Sequence, residues 1–266
     1  MDQATAIVEN SEIAVWTGLW EAIPENNAQA LGMSLEKIGS ATALVMQQMP
    51  DWFFNRVIGF GLNTHASEEL LDNIIDIYTE KNLPLGISLS PQAQPANISD
   101  WLQQRGFSIA NNWAKMIRGA ESPPAIDTDL QIMKAGKEHA LLVGNLICAG
   151  FGMPDHLLPV FASLLNNPNN HVYLATDDDV PIGVGVLTVH NDIGHLNTAT
   201  TMQAYRGRGV QGALMAHRIN EGIRMGCQWF ATETGILPDQ PNPSYNNMVR
   251  YGFKEHYQRP NFARSP

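Results

Sequence analysis

The chain has 266 residues, of which 44% are hydrophobic and 16% are charged, a composition typical of a globular protein. Its net charge of −10 argues against general nucleic-acid binding. No apolar segment approaches the roughly 20 residues that a membrane span needs, so no membrane association is expected. The acidic N-terminus does not resemble a secretory signal, and the two cysteines, Cys148 and Cys227, suit a reducing compartment. We therefore expect a cytoplasmic protein.

The first half of the chain shows few readable elements. Residues 68–81 are predicted as a helix, because Ser67 can cap it and its apolar residues share one face. The pattern also predicts a strand at 85–89, a helix at 101–105 and a strand at 108–116. Residues 1–50 show no pattern that we can interpret.

A domain boundary is expected within residues 119–129, because Ser122-Pro123-Pro124 cannot continue a helix or a central strand. We therefore predict an N-terminal domain at residues 1–120 and a C-terminal domain at 128–266. The second half is predicted to have strands at 130–134, 171–176, 181–189, 193–202, 229–233 and 253–257, and helices at 137–150, 154–165, 213–225 and 242–251. This order indicates an α/β fold of the α+β type, with a mixed, largely antiparallel central sheet flanked by helices.

A helix–Gly–Phe–strand unit occurs twice, around Gly106-Phe107 and around Gly252-Phe253. The repetition predicts two tandem copies of one fold, the first of them degenerate. The first half offers only Gly59-Phe60-Gly61 as a glycine-rich turn, and that turn has no basic neighbours. It is not expected to hold a phosphate.

The most informative segment is Arg206-Gly207-Arg208-Gly209-Val210-Gln211-Gly212, between a Thr-rich strand and a helix. Three glycines in six positions let the backbone curl so that several N–H groups point at one spot. The helix that follows adds the positive end of its dipole. Basic residues also outnumber acidic ones in 203–266, whereas acidic residues dominate 1–125. Together these features predict an anion site suited to phosphate.

The spacing Gly207-x-Gly209-x-x-Gly212 matches the dinucleotide-binding fingerprint, and Glu233 lies about 20 residues further on, where a ribose contact is expected. We reject that interpretation. The preceding strand contains Thr200 and Thr201, whereas a central parallel strand should be apolar, and too few residues follow for the remaining βαβ units.

Residues 205–210, Tyr-Arg-Gly-Arg-Gly-Val, resemble instead the pyrophosphate loop of the GNAT superfamily of N-acetyltransferases, whose motif is Q/R-x-x-G-x-G/A. Gln211 stands where Gly or Ala is usual, but only a backbone N–H is needed there if the side chain points outward. Residues 242–253 resemble the Asn-containing helix of the family and its closing Gly-Phe pair. The resemblance covers residues 130–257 and implies a GNAT-like fold, here in two tandem copies.

The resemblance implies acetyl-CoA as co-substrate, with its pyrophosphate on the N–H groups of residues 208–212 and its pantetheine beside the preceding strand. A backbone N–H near Thr201 or Met202 would polarise the thioester carbonyl. Asn242 is expected to cap its helix or to contact the coenzyme. The cofactor-binding residues implied are Thr200, Thr201, Met202, Arg206, Gly207, Arg208, Gly209, Val210, Gln211, Gly212, Asn242 and Asn246.

For catalysis we expect Glu233 as the base that deprotonates the amine, its pKa raised by the apolar neighbours Trp229 and Phe230. Many family members use a Tyr as the acid where this chain has Met248, so Tyr245, one turn earlier, is the substitute that we predict. The alternative is that the thiolate leaves unassisted and is protonated by water. The weaker candidates His190 and His195 lack a third metal ligand, and no metal is expected.

The function implied is acetyl transfer from acetyl-CoA to a primary amine of a small molecule or a protein, with the first domain shaping the acceptor pocket or acting as a pseudo-symmetric partner. The acidic composition favours a cationic acceptor. Two alternatives stay open: a non-catalytic CoA-binding sensor or scaffold, and a transferase of a longer acyl group. Acetyl-CoA and an amine acceptor are the partners expected, and a homodimer is one possible assembly.

Overall fold

The structure is a computed structural model that describes residues 1–126, 128–236, 240 and 242–266. Asp127, within the predicted domain break, therefore lies outside the described residues. The helices are α1 (Gln3–Glu21), α2 (Glu25–Leu31), α3 (Glu68–Thr79), α4 (Ile98–Gln104), α5 (Ala140–Phe151), α6 (Leu158–Ala162), α7 (Val210–Arg224) and α8 (Pro243–Arg250). Across the described ranges, no helix is both long and apolar enough to cross a bilayer.

The strands form one sheet. They are β1 (Met33–Ile38), β2 (Ala41–Met46), β3 (Arg56–Ile58), β4 (Leu85–Ser88), β5 (Ser108–Gly119), β6 (Gln131–Lys134), β7 (Asn170–Asp177), β8 (Val180–His190), β9 (Ile193–Thr201), β10 (Trp229–Gly235) and β11 (Lys254–Arg264). Their order across the sheet is β1-β2-β3-β4-β11-β5-β10-β9-β8-β7-β6. The predicted mixed, largely antiparallel sheet is confirmed, because only the pairs β3–β4 and β9–β10 are parallel among the strand pairs that the structure describes.

The two halves of the chain exchange strands at the centre of this sheet. Strand β11 of the second half lies between β4 and β5 of the first, and β5 lies between β11 and β10. Each half has one parallel pair, and beside each pair lies the strand that the other half supplies. The sequence boundary near residue 120 is therefore not a boundary in the sheet.

The N-terminal 50 residues and the last strand differ most from expectation. Residues 1–50 form α1, α2, β1 and β2, for which the sequence showed no pattern. Strand β11 continues to Arg264 rather than ending near residue 257. It contains Pro260, which usually argues against a central strand because proline has no N–H to donate. Irregularities in its pairing with β5, between Glu255 and Tyr257 and between Asn261 and Phe262, accompany this strand.

Helices cover both faces of the sheet. Helix α1 packs with α5 and α6 on one face, around a core that includes Trp20, Leu44 and Val186. On the opposite face, α3 and α4 cover the strands of the first half, and α7 and α8 cover those of the second. Strands β2, β3 and β4 of the first half and β7 and β8 of the second are therefore largely buried on both sides, whereas β5 and β11 at the centre keep several exposed residues.

A cluster of buried charges joins α1 to the exchanged strands. The carboxylate of Glu12 lies 3.1 Å from Arg56 Nη2 on β3 and 2.9 Å from Lys115 Nζ on β5. It also accepts from both terminal nitrogens of Arg259 on β11, while Glu9 Oε2 lies 3.1 Å from Arg259 Nη1. Burial acts to raise the pKa of Glu12, but Arg259, Lys115 and Arg56 hold it well below its usual range. Glu12 is therefore an ion that links three strands from both halves.

We expect Glu12→Gln to lower the free energy of unfolding by about 3–5 kcal/mol, because it leaves buried cations without their shared counter-ion. Urea unfolding at neutral pH measures the change. The matched control is Glu68→Gln, which breaks the more exposed pair with Arg105 and should cost about 1 kcal/mol or less. Equal small losses in both variants would contradict the linking role of Glu12.

Candidate functional site

Strand β9 has an irregular pairing at the position where a ligand site is expected. Its register with β8 shifts between Val184 and Val186, and Thr198, within the shift, has a left-handed φ of 44°. Arg218 of α7 donates from Nη1 to the carbonyls of Val186 (2.9 Å) and Asn197 (3.3 Å). The bulge is thus held by a buried guanidinium, and it turns the backbone of residues 197–199 towards a cavity.

Strands β9 and β10 separate immediately beyond their short parallel pairing, which ends at Ala231 and His195. The N–H of Met202 donates to the carbonyl of Ile182 on β8 at 2.9 Å, so it is not free to polarise a thioester carbonyl. Successive peptide groups of a strand point to opposite sides, so the N–H of Thr201 faces the gap. Of the two N–H groups expected to polarise the thioester carbonyl, that of Thr201 is therefore the one without a strand partner on the β8 side.

The glycine loop lies after β9 and opens α7. Gly207 and Gly209 have φ of 80° and 79°, and a Cβ at either would meet nothing within 4 Å. The first residue of α7 whose N–H donates back to the loop is Ala213, which bonds the carbonyl of Gly209 at 3.0 Å. The preceding N–H groups, up to that of Gly212, therefore form the open N-terminus of a 15-residue helix.

The two arginines of the loop are near the surface. Arg208 pairs with Asp177 (Nη1 to Oδ2, 2.7 Å) and lies 5.5 Å above the ring of Tyr205. Arg206 Nη2 lies 3.5 Å from the carbonyl of Gly150. Gln211 lines the cavity described next, so its side chain does not simply point away from the site.

A cavity of about 330 Å³ passes through the gap between β9 and β10. On one side, the cavity is lined by the bulge residues, by the end of β10 and by residues of α7 and α8. On the other side the lining comes from α1, from the turn before β3 and from β5, together with Phe151, Met153, Phe161 and Leu164 of the second half. Its members include Trp16, Phe53, Trp113, Leu196, Asn197, Thr198, Met215, Arg218, Thr232, Glu233, Ser244 and Met248.

Glu233, the predicted base, lines this cavity, but its environment is the opposite of the one expected. Its Oε2 lies 2.7 Å from Lys115 Nζ and 3.3 Å from His195 Nε2. Burial acts to raise the pKa of Glu233, yet Lys115 and His195 lower it to about 2. The expected rise in the pKa is therefore wrong: a lysine from the other half of the chain, invisible in the local sequence, outweighs the apolar neighbours. Glu233 is a fixed anion at neutral pH.

Comparisons with known proteins agree with this geometry. Residues 145–238 match the family model described as "Acetyltransferase (GNAT) family". By this match, residues 145–238 belong to the GNAT family. No curated protein sequence matches the chain.

Solved structures extend the GNAT likeness to the whole chain. The GCN5-related N-acetyltransferase from Kribbella flavida superimposes with a TM-score of 0.66 at 13% identity, over 97% of this chain and 96% of that one. A tandem GNAT protein from the clavulanic acid biosynthesis pathway gives 0.63 at 11% identity, over 94% of each chain. A third, from Sphaerobacter thermophilus, gives 0.62 at 11%, over 86% and 82%. The predicted tandem GNAT fold is confirmed.

Within the GNAT domain, helix α8 does not bring Tyr245 to the cavity. Ser244 and Met248 line the cavity instead, while Tyr245 packs beside the apolar core under α7. A hydrogen bond with Glu255 raises the pKa of Tyr245, and burial adds to the effect. The residues of this helix that line the cavity are thus Ser244 and Met248 rather than the predicted Tyr245.

The asparagines of α8 behave as helix-terminal residues. Asn242 accepts from the N–H of Tyr245 at 3.0 Å and donates to the carbonyl of Gly235 at 2.7 Å, so it caps the helix and ties it to β10. Asn246 is exposed. Of the two roles expected for Asn242, helix capping and coenzyme contact, this geometry agrees with capping.

The histidines take different positions. His195 is buried, with its Nδ1 2.9 Å from Ser11 Oγ and its Nε2 facing Glu233. The sequence alone gave no reason to connect it with α1. His190 is exposed at the end of β8. In the described part of the chain, no three His, Cys, Asp or Glu residues are grouped as a metal site.

The corresponding turn of the first GNAT copy is closed. The backbones of Gly61 and Gln94 are in direct contact: the N–H of Gln94 donates to the Gly61 carbonyl at 2.8 Å. A Cβ at Gly61 would lie only 2.9 Å from the Gln94 carbonyl oxygen. The helix that follows, α3, begins with Glu68 and Glu69, which disfavour an anion at its N-terminus. This geometry supports the expectation that the first half does not hold a phosphate.

Removing the positive charge of Lys115 should raise the pKa of Glu233. In Lys115→Met the burial that acts to raise the pKa remains while the main opposing charge is lost, so we expect a rise from about 2 towards or above the ordinary 4.5. Carbon-13 NMR titration of labelled glutamate carboxyls measures it, with the Glu233→Gln spectrum giving the assignment. Lys37→Met is the control, because Lys37 bonds Thr42 and not Glu233. A pKa that stays near 2 would contradict the role of Lys115.

The same shift fixes how this carboxyl contributes to stability. Because the folded pKa lies below the unfolded value, the contribution is fully present above about pH 4.5 and is lost as the pH falls from there towards 2.

Proposed function

We propose that the protein transfers an acetyl group from acetyl-CoA to a primary amine. The observation that carries the proposal is the continuity between two features. The open N–H groups at the start of α7 lie at the end of the strand gap, and the gap leads into a cavity that contains the carboxylate of Glu233. A diphosphate at one end and a reactive thioester at the other match this layout.

The coenzyme contacts follow from the same positions. Its pyrophosphate would accept from the N–H groups of residues 208–212, with Arg206 and Arg208 adding positive charge at the rim. The pantetheine would lie in the gap beside Thr200 and Thr201. Gly207 and Gly209 are needed because their left-handed conformation aims the N–H groups outward without a side chain in the way.

In the reaction, the amine nitrogen forms a bond to the acetyl carbon and the bond from that carbon to sulfur breaks, giving an amide and CoA. A backbone N–H of the bulge at residues 197–199, which line the cavity, or that of Thr201 would stabilise the oxyanion. Glu233 Oε1, to which no described residue donates, accepts a hydrogen bond from the incoming ammonium. The ammonium loses one proton to water before the attack. As the bond to sulfur breaks, the nitrogen loses its second proton, which reaches the thiolate through water or the hydroxyl of Ser244.

The first domain supports this function directly. Lys115 of β5 holds Glu233, and Trp16 and Phe53 line the cavity. The buried thiols of Cys148 and Cys227 are compatible with work in the cytoplasm. A non-catalytic CoA-binding role is favoured only by the absence of a tyrosine of α8 from the described cavity lining.

The coenzyme assignment is tested with a matched pair of glycines. Gly209→Val places a β-branched residue at φ 79° in the loop, and we expect calorimetric titration to detect no acetyl-CoA binding. Gly226→Val imposes similar backbone strain at φ 92° beyond the other end of α7, also with nothing within 4 Å of the new Cβ. That control should bind like the parent protein. Unchanged affinity in Gly209→Val would remove the basis of the proposal.

The role of Glu233 is tested by kinetics. Glu233→Gln should lower kcat by about 100-fold while leaving acetyl-CoA affinity unchanged. The expected loss is that of misplacing the amine, because a carboxylate with a pKa near 2 orients the amine but is too weak a base to deprotonate it. Free thiol released during an amine screen measures turnover. The control is Glu221→Gln on the outer side of α7, which should be active. An undiminished kcat in Glu233→Gln would show that Glu233 does not receive the amine.

The two alternatives separate in the same assays. A sensor or scaffold binds acetyl-CoA and releases no thiol with any amine. A transferase of longer acyl groups releases thiol faster from a longer acyl-CoA than from acetyl-CoA.

A further inference from the structure

The first half of the chain builds part of the cavity wall near α1, and Phe151, Met153, Phe161 and Leu164 of the second half line the cavity beside it. Helix α1 supplies Val15, Trp16 and Leu19, the turn before β3 supplies Phe53 and Phe54, and β5 supplies Trp113. All six side chains are apolar or aromatic. Strand β5 places Trp113 directly opposite Gly235, at the end of β10 and two residues beyond Glu233. The aromatic wall and the carboxylate therefore border the same space.

Phe53 is the centre of this wall. Its ring lies 5.2 Å from that of Trp16, at an interplanar angle of 77°, and 5.7 Å from that of Trp113, at 49°. Such tilted contacts are favourable and hold the rings in fixed orientations. The wall is thus a preformed apolar surface rather than a flexible loop.

Aromatic surfaces also bind cations, but here that capacity is already used. The guanidinium carbon of Arg56 lies 3.9 Å from the ring centre of Trp16, 5.2 Å from that of Phe53 and 5.7 Å from that of Trp113. Arg56 is fully buried and paired with Glu12. A second cation at these rings would meet the charge of Arg56, so the rings are left to contact an uncharged body.

The few charged residues of the cavity lining also favour an acceptor with an uncharged body. Among the lining residues that the structure describes, the charged ones are Glu233 and Arg218. Glu9 and Glu12, which contribute to the acidic composition, are enclosed in the ionic cluster around Arg259. One carboxylate can receive one ammonium, and further positive charges on the acceptor would be desolvated without partners. The expected general preference for a cationic acceptor therefore does not extend to polycations.

We propose that the acceptor is a primary amine carried on a flat, apolar body, such as an arylalkylamine, which packs against Phe53 and Trp113 with its nitrogen at Glu233. This inference rests on the proposed acetyl transfer and names its acceptor class. Polyamines would bring further charges to a lining in which the described residues offer one carboxylate, and sugars would forgo the apolar contact with this wall.

The test compares acceptors and one matched pair of variants. With acetyl-CoA saturating, 2-phenylethylamine should give a kcat/KM at least about tenfold above those of spermidine and glucosamine, the order of effect expected from burying or stranding a few groups. Trp113→Leu should raise the KM for 2-phenylethylamine with little change in kcat. The control is Trp229→Leu, the same replacement at the other end of the β5–β10 ladder and outside the cavity, which should leave the KM unchanged.

A binding measurement keeps the test independent of turnover. Calorimetric titration of 2-phenylethylamine into the CoA-loaded protein should show saturable binding that Trp113→Leu weakens and Trp229→Leu does not. Failure to bind, or an equal or higher kcat/KM for spermidine or glucosamine, overturns the acceptor class while acetyl transfer stands. If acetyl-CoA itself does not bind, the proposed function fails, and the acceptor class fails with it.

Discussion

The architecture depends on one carboxylate, that of Glu12, buried in the middle of α1. It forms ion pairs with Arg56 of β3, Lys115 of β5 and Arg259 of β11, and these strands come from both halves of the chain. Burying charged groups is costly unless their geometry satisfies them, and the three cations here are matched by three carboxylates, Glu12 at the centre with Glu9 and Glu233 beside it. The arrangement thus favours one relative position of helix and strands over others that apolar contacts alone would tolerate.

Lys115 extends this constraint to the candidate site. It contacts Glu12 on one side and Glu233 on the other, so the anion that lines the cavity is positioned by the same cluster that joins the halves. The first GNAT copy, whose own turn is closed by Gln94, keeps a role through this contact and through the aromatic wall. It supplies part of the lining of the candidate site and the lysine that contacts Glu233.

Local sequence signals located the elements and the loop, but not the contacts between halves. The helix at 68–79 and the strands of the second half follow from periodicity and capping, and the turn at Gly207 and Gly209 follows from residue type. Helix α1 could not be predicted from hydrophobic periodicity, because its buried face carries the charged residues Glu9 and Glu12. The pKa of Glu233 could not be inferred for the same reason: Lys115 is 118 residues away in sequence. Tyr245 was chosen by its spacing along α8, which does not determine the face that a short helix turns to the site.

The exchange of β5 and β11 also affects the order in which the protein can fold. One edge of β4 and one edge of β5 have no neighbour until residues 254–264 are available, and the other edge of β5 waits for β10, although β4 and β5 themselves are made early. During synthesis the first half therefore presents open strand edges while the rest of the chain is made. Such edges are sites of mispairing, and contacts of this sequence separation form slowly. Any recombination that separated the two copies would make those open edges permanent, which gives a physical reason for the copies to be kept in one polypeptide.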